Sequence, residues 1–239
     1  SLYRSSSQIS GRHSDWSQNR HSRPWRYGVF QSARPAPTGT RRRVIVQTPA
    51  STRTYRPWIR FGTKRNNYNA YLQIFNRLEQ YYVNNHSPEK VEIIIQGGTF
   101  PTYPIEYQEQ FLTSIYKALN DFSTIFYKEN FNNKKFKSFF ELPADLKNEE
   151  RTKRVQEKIL SLETKSNLKK EQKINETFKI RAIAVVVETK PDWCLSQHID
   201  QMLKLGTTRV EIGVQSVYND ILKFNNRGHT IEDTKTSFQ

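Results

Sequence analysis

Apolar and polar positions along this chain follow two rhythms, and the switches between them lay out its elements. Tyr71, Ile74, Phe75, Leu78 and Tyr82 recur three and four residues apart, which predicts an amphipathic helix from about Asn67 to Tyr82. Pro88-Glu89-Lys90 leads into the strand-like run Val91-Glu92-Ile93-Ile94-Ile95, closed by Gln96-Gly97-Gly98-Thr99. The helical rhythm returns at Tyr107, Phe111, Leu112, Ile115, Leu119 and Phe122. A β-branched run predicts the next strand over 180–187, with Glu188 the first charge after it. Ile199, Met202 and Leu203 mark a helix from Ser196 to Leu205, which Gly206 is placed to stop in a left-handed cap. Val210-Glu211-Ile212-Gly213-Val214 predicts a further strand, and Thr230-Ile231-Glu232-Asp233 fits a capping box opening another helix. Strand–helix alternation of this kind predicts βαβ units and a parallel sheet, an α/β fold. Three strands are legible, too few for a closed eight-stranded barrel.

Two stretches break the pattern. Residues 128–176 are rich in Lys, Asn and Glu and predict a long, exposed, partly helical insertion with one weak stripe at Val155, Ile159 and Leu162. Residues 1–63 are rich in Ser, Arg and Pro, with little apolar periodicity apart from Val44-Ile45-Val46. Such a composition buries too little surface to offset ordering, so this segment is expected to be irregular or disordered. The domain division that follows is 1–63, an Arg-rich arm, and 64–239, a globular body.

Charge sharpens that division. The 239 residues carry a formal net charge of +15, which suggests a polyanionic partner such as nucleic acid. Residues 1–63 hold 12 Arg, no Lys and one acidic residue, whereas residues 64–239 hold 7 Arg and 19 Lys against 22 acidic residues. The basic excess therefore belongs to the arm, which fits an RNA-binding extension. The abrupt change of idiom near Gly62 fits equally a segment translated out of frame, an idea that dies if neither other frame shows cysteines at cluster spacing. One cysteine excludes an internal disulfide and a four-cysteine metal site within the chain. No apolar run approaches the ~20 residues that span a bilayer, so a cytoplasmic protein without membrane contact is expected.

Candidate chemistry gathers where the strands end, the place where parallel sheets bind ligands. Gly97-Gly98 lets backbone approach a ligand, although a plain turn has the same composition. Glu188 can accept bonds from ribose hydroxyls or an ammonium group, or simply end a strand in solvent. Gln215 both donates and accepts, which suits a nucleoside or the tying of two strand ends. His198 and His229 are isolated, and Cys194 reads as a packing residue.

The order of these runs is more specific than any one of them. Arg65 to Asn69, Lys90-Val91-Glu92, Gly97-Gly98-Thr99-Phe100 and Ile174-Asn175-Glu176-Thr177 are followed by Glu188-Thr189-Lys190-Pro191-Asp192-Trp193-Cys194, Thr208 to Tyr218 and Arg227-Gly228-His229-Thr230. From Asn66 onward the chain resembles the radical S-adenosylmethionine domain of the Elongator catalytic-subunit family, the tRNA wobble-uridine acetyltransferases, in its archaeal form. The resemblance implies a partial TIM-like barrel with S-adenosylmethionine held against a 4Fe-4S cluster. It further implies acetyl-CoA as substrate, tRNA as partner, and other Elongator subunits or a second copy as assembly partners. Carried over residue by residue, Gly97, Gly98, Thr99, Glu188 and Gln215 would meet S-adenosylmethionine and Lys90 would contact acetyl-CoA. The family's cluster cysteines, upstream of the Asn66 region, have no counterpart here, and the acetyltransferase domain is absent too. No metal-ligating or catalytic residue is assigned, and the segment is expected to be inactive by itself. A non-catalytic RNA-binding remnant and another radical enzyme, such as a porphyrinogen-oxidase relative, are the alternatives.

Overall fold

Four parallel strands stand side by side in chain order: β1 (Arg41–Gln47), β2 (Lys90–Gln96), β3 (Arg181–Thr189) and β4 (Arg209–Ile212). The structure, a computed structural model, describes residues 41–49, 65–144 and 148–239. Parallel neighbours need crossovers rather than hairpins, and helices supply them. α1 (Ala70–Val83) joins β1 to β2. α2 (Ile105–Phe126), α3 (Asn133–Phe139), α4 (Glu149–Leu160) and α5 (Leu168–Asn175) lie between β2 and β3. α6 (Ser196–Lys204) joins β3 to β4, and α7 (Asn219–Phe224) and α8 (Ile231–Ser237) follow.

Side chains alternate across a strand, so each strand presents two faces. Val44, Val46, Val91, Ile93, Ile95, Val185 and Val187 join the main core together with Ile74, Phe75, Leu78, Leu112, Ile115, Leu119 and Phe122 of α1 and α2. Ile94 and Val186 are buried but stand outside that cluster, on the opposite face. The opposite face also carries Glu92, 1% exposed, whose carboxylate accepts from Arg43 Nε at 3.2 Å and Arg209 Nη1 at 3.0 Å. This bracketing satisfies a buried charge from two neighbouring directions.

The arm boundary predicted at residue 63 is corrected by β1, which pairs in register with β2 from Arg41↔Lys90 to Gln47↔Gln96. Val44-Ile45-Val46, read as an isolated apolar run, is the centre of a strand whose partner lies some fifty positions away. The out-of-frame and disordered expectations for the remainder of residues 1–63 fall outside the described residues. The sheet thus has four strands rather than three. The insertion over 128–176 is also packed more closely than expected: Phe136, Phe140, Val155, Ile159 and Leu168 are buried and join the core. The described lysines there stand exposed or half-exposed between these anchors.

Local signals explain the boundaries. Asn67 and Tyr68 have φ of 48° and 57°, which keeps them out of the first helix, and Asn69 caps it by accepting from the Leu72 amide at 2.9 Å. Thr230 and Asp233 form the expected capping box on α8. Gly206 ends α6 with φ of +86°, and a Cβ there would lie 2.6 Å from Gln172 Nε2, which donates to the Leu205 carbonyl. Gly206→Ala is therefore expected to lower stability by about 1–2 kcal/mol, measured by urea unfolding, because left-handed backbone and a side-chain clash add.

Candidate functional site

The carboxyl ends of the strands carry a row of polar side chains on the face away from the main helical core. Gln47 pairs in register with Gln96, Gln96 Nε2 donates to Glu188 Oε1 at 2.5 Å, and Glu188 stands opposite Glu211. β3 extends two residues beyond the apolar run, so Glu188 sits within the strand and is fixed by the ladder rather than waving in solvent. Gln47 is buried, and its Nε2 has no hydrogen-bond partner. A buried amide N–H₂ without an acceptor costs about 1–3 kcal/mol.

The turns leaving the strands converge on that row. Gly97 and Gly98 have φ of 105° and 102°, which no residue with a side chain adopts readily, and Thr99 follows them in extended conformation. Thr48 Oγ1 donates to the Gly97 carbonyl at 2.5 Å and locks the β1 and β2 exits together. On the other flank the Gly213 amide donates to the Thr189 carbonyl at 2.9 Å, tying the β4 exit to β3. A Cβ on Gly213 would meet Gln215 Nε2 at 3.2 Å, the Thr189 carbonyl at 3.4 Å and Arg227 Nη2 at 3.5 Å. The absence of that carbon lets the amide of Gln215 and the guanidinium of Arg227 close on the strand tips. Gln215 itself has φ of +67°, a left-handed conformation imposed where the chain leaves the sheet.

Arg227 is half-buried, its Nε is buried without an acceptor, and no carboxylate among the described residues pairs with it. Lys190, by contrast, holds Asp192 at 2.9 Å. His229 is buried, with Nε2 3.1 Å from the Val214 carbonyl and Nδ1 unpartnered. The bond to Thr230 holds the Asp233 carboxyl below its ordinary range. The strand ends therefore carry donors at Gln47, Gln215 and Arg227 and an acceptor at Glu188. Such a set suits a zwitterionic ligand with hydroxyls.

Structure thus brings Gly97, Gly98, Thr99, Glu188 and Gln215 to one end of the sheet. It does not bring Lys90 there: that residue opens β2 at the opposite end, about 20 Å away by the ~3.3 Å rise of six strand residues. Sequence reasoning missed Gln47, hidden in the segment discounted as irregular, and gave Arg227 no role although it quoted the run containing it. Among the described residues no three His, Cys, Asp or Glu gather as metal ligands. Cys194 is the chain's one cysteine and is buried, and burial pushes its thiol pKa up. Three cluster thiolates cannot come from this sequence, so a 4Fe-4S cluster does not fit its residues. A groove of about 560 Å³ between Glu106, Lys117 and Glu163 lies apart from these strand ends and shares none of their residues.

No protein-family model matches the chain. It is 40% identical over 168 residues to the tRNA uridine(34) acetyltransferase of Methanocaldococcus infernus and 39% identical over 168 residues to that of Methanocaldococcus jannaschii. In each case the match covers 70% of this chain and 24% of the relative. The Elongator complex protein 3 of Drosophila melanogaster is 33% identical over 175 residues, 73% of this chain and 24% of that protein. Among solved structures, the archaeal Elp3 of Methanocaldococcus infernus, with its N-terminus deleted, superposes with a TM-score of 0.56 at 36% identity. That superposition covers 82% of this chain and 34% of the solved chain. The chain spans about a quarter of the length of the curated relatives it matches.

Proposed function

Since this chain is homologous to a segment of the tRNA uridine(34) acetyltransferases and Elongator catalytic proteins, we propose that it is the cofactor-holding part of such an enzyme. The ligand of the strand-end pocket is S-adenosylmethionine, and the wobble uridine of tRNA is the target of the longer proteins' chemistry. One observation carries the reading: three strand exits, at Gly97-Gly98, Glu188 and Gly213–Gln215, meet on one edge where donors are left unpartnered.

Each residue has a physical task in that pocket. The Gly97 and Gly98 backbone admits the amino-acid end of the ligand, and Thr99 continues that wall. Glu188, held by Gln96, accepts from ribose hydroxyls or the ammonium group. Gln215 and Gln47 donate to ligand oxygens. Arg227 neutralises a carboxylate, which would satisfy its own buried Nε. S-adenosylmethionine supplies a sulfonium nucleoside whose cleavage, in the longer relatives' setting, depends on a cluster that this sequence does not ligate. Acetyl-CoA, approached by Lys90, belongs to the opposite end of the sheet. The segment is inactive as it stands.

Titration calorimetry of the 239-residue chain with S-adenosylmethionine tests this. Binding is expected, and Glu188→Ala, Gln215→Ala and Arg227→Gln should each weaken it about tenfold, the effect of losing one charged or buried hydrogen bond. No heat on titration of the wild-type chain would sink the cofactor reading, and a cluster absorbance after anaerobic iron reconstitution would overturn inactivity.

A further inference from the structure

Where β4 leaves the sheet, the chain makes a turn that few side chains tolerate. The Ser216 amide donates to the Val214 carbonyl at 2.8 Å, closing a three-residue turn with Gln215, at φ of +67°, as its central residue. A positive φ at the centre of such a turn is the rare, strained form, and strain of this kind persists only where the surroundings enforce it. Packing does not enforce it here, since Gln215, Val217 and Tyr218 are all exposed. The turn folds the side chain back, so that Gln215 Nε2 lies over Gly213 beside Arg227 Nη2 rather than away from the strand tips.

His229 grips the same carbonyl. Its Nε2 lies 3.1 Å from the Val214 oxygen, and a carbonyl only accepts, so Nε2 carries the proton of that bond. The residue is 5% exposed, and its Nδ1 is buried with no partner, so the bond to Val214 is the ring's one hydrogen bond among the described residues. The ring reaches Val214 from a firm base. Thr230, next to it, caps α8 with Asp233, and the Ile231 amide donates to Asn219 Oδ1 at 2.9 Å. A second donor on the Val214 oxygen holds that carbonyl in the orientation the turn needs, without any packing on Gln215 itself.

We propose that His229 is a positioning residue for Gln215: its Nε2–H latches the Val214 carbonyl and so fixes the strained turn that aims the Gln215 amide at the ligand of the strand ends. The inference deepens the reading in which that ligand is S-adenosylmethionine, and rests on it only for the choice of ligand. The orphaned Nδ1 separates latching from stability. Leucine in place of the ring removes one hydrogen bond and one buried nitrogen without a partner, two effects of opposite sign on folding.

Hydrogen exchange of the Ser216 amide, followed by NMR in the ligand-free 239-residue chain, reads the latch directly. His229→Leu should speed that exchange at least tenfold while the thermal midpoint stays within about 4 °C of wild type. His229→Gln, whose side-chain amide puts a donor near the same point, should exchange much as wild type does. Titration of S-adenosylmethionine then tests what the latch is for. His229→Leu should weaken binding about tenfold, as Gln215→Ala does, and His229→Gln should restore most of it. The double variant His229→Leu with Gln215→Ala should bind no more weakly than Gln215→Ala alone, because the histidine acts only through the glutamine. A merely structural histidine would instead lower the midpoint in step with affinity. Unchanged Ser216 exchange in His229→Leu refutes the latch, and so do additive losses in the double variant or a leucine variant that binds like wild type. If wild type binds no S-adenosylmethionine while Ser216 exchange responds as expected, the cofactor reading falls and the latch stands.

Discussion

Arg151→Met should lower the unfolding free energy by about 3–5 kcal/mol, one of the two largest losses expected from any single substitution here. Arg151 is 3% exposed, donates from Nη2 to Glu79 Oε1 at 2.6 Å and from Nε to the Phe140 carbonyl at 3.0 Å. Its guanidinium thus joins α1, the end of α3 and the start of α4. A methionine fills much the same volume but leaves the Glu79 carboxylate, itself buried, with a weak donor in Asn76 at 3.5 Å and the more distant charge of Arg65. The cost is that of a buried charge stripped of its closest counter-ion rather than of one lost bond. The double variant Glu79→Leu with Arg151→Met removes both charges and should recover most of the stability. Urea unfolding of the two single variants and the double variant closes the cycle. Additive losses would mean that the pair contributes nothing as a pair.

Phe122→Ala should cost a similar amount, about 3–5 kcal/mol, and lower the thermal midpoint by on the order of 10 °C. Phe122 is fully buried at the middle of an aromatic cluster. Its ring lies 4.7 Å from Phe126, 5.5 Å from Tyr82 and 5.6 Å from Phe75, with Phe136 and Phe140 slightly farther. Truncation removes the ring's own burial and leaves a void that rigid neighbours from three helices cannot close. Calorimetric melting measures it, and a midpoint within a few degrees of wild type would show that the cluster collapses inward. Phe122→Leu, which keeps most of the volume, should cost far less.

Legibility from sequence followed the range of the interactions involved. Periodicity alone located α1, α2, α6, β2 and β3, because burial against a neighbour imposes a rhythm on each. The cap at Gly206 and the box at Thr230 are local and fix where elements start and stop. β1 escaped because its apolar centre spans three residues between arginines and its strand identity depends on pairing with β2. The 128–176 insertion reads as exposed because its buried apolar positions, Phe136, Phe140, Val155, Ile159 and Leu168, are isolated among lysines and glutamates, and Arg151 and Glu171, also buried, are themselves charged. That Glu188, Gly97, Gly98, Thr99 and Gln215 share one end of the sheet was legible because residues that end strands in a parallel sheet lie at one edge. Gln47 and Arg227 were not, since what marks them is a donor lacking an acceptor, a property of the folded surroundings.

Among the described residues β4 has a strand beside it on one side only, and the neighbouring turn and helix leave Val217, Tyr218 and Phe224 open to solvent, Phe224 by 86%. A rail of unused peptide groups next to greasy rings is an adhesive strip, ready to zip up with any extended polypeptide of matching length. The salt link between Arg209 and Glu211 puts charge on that rail, which makes indiscriminate sticking less favourable.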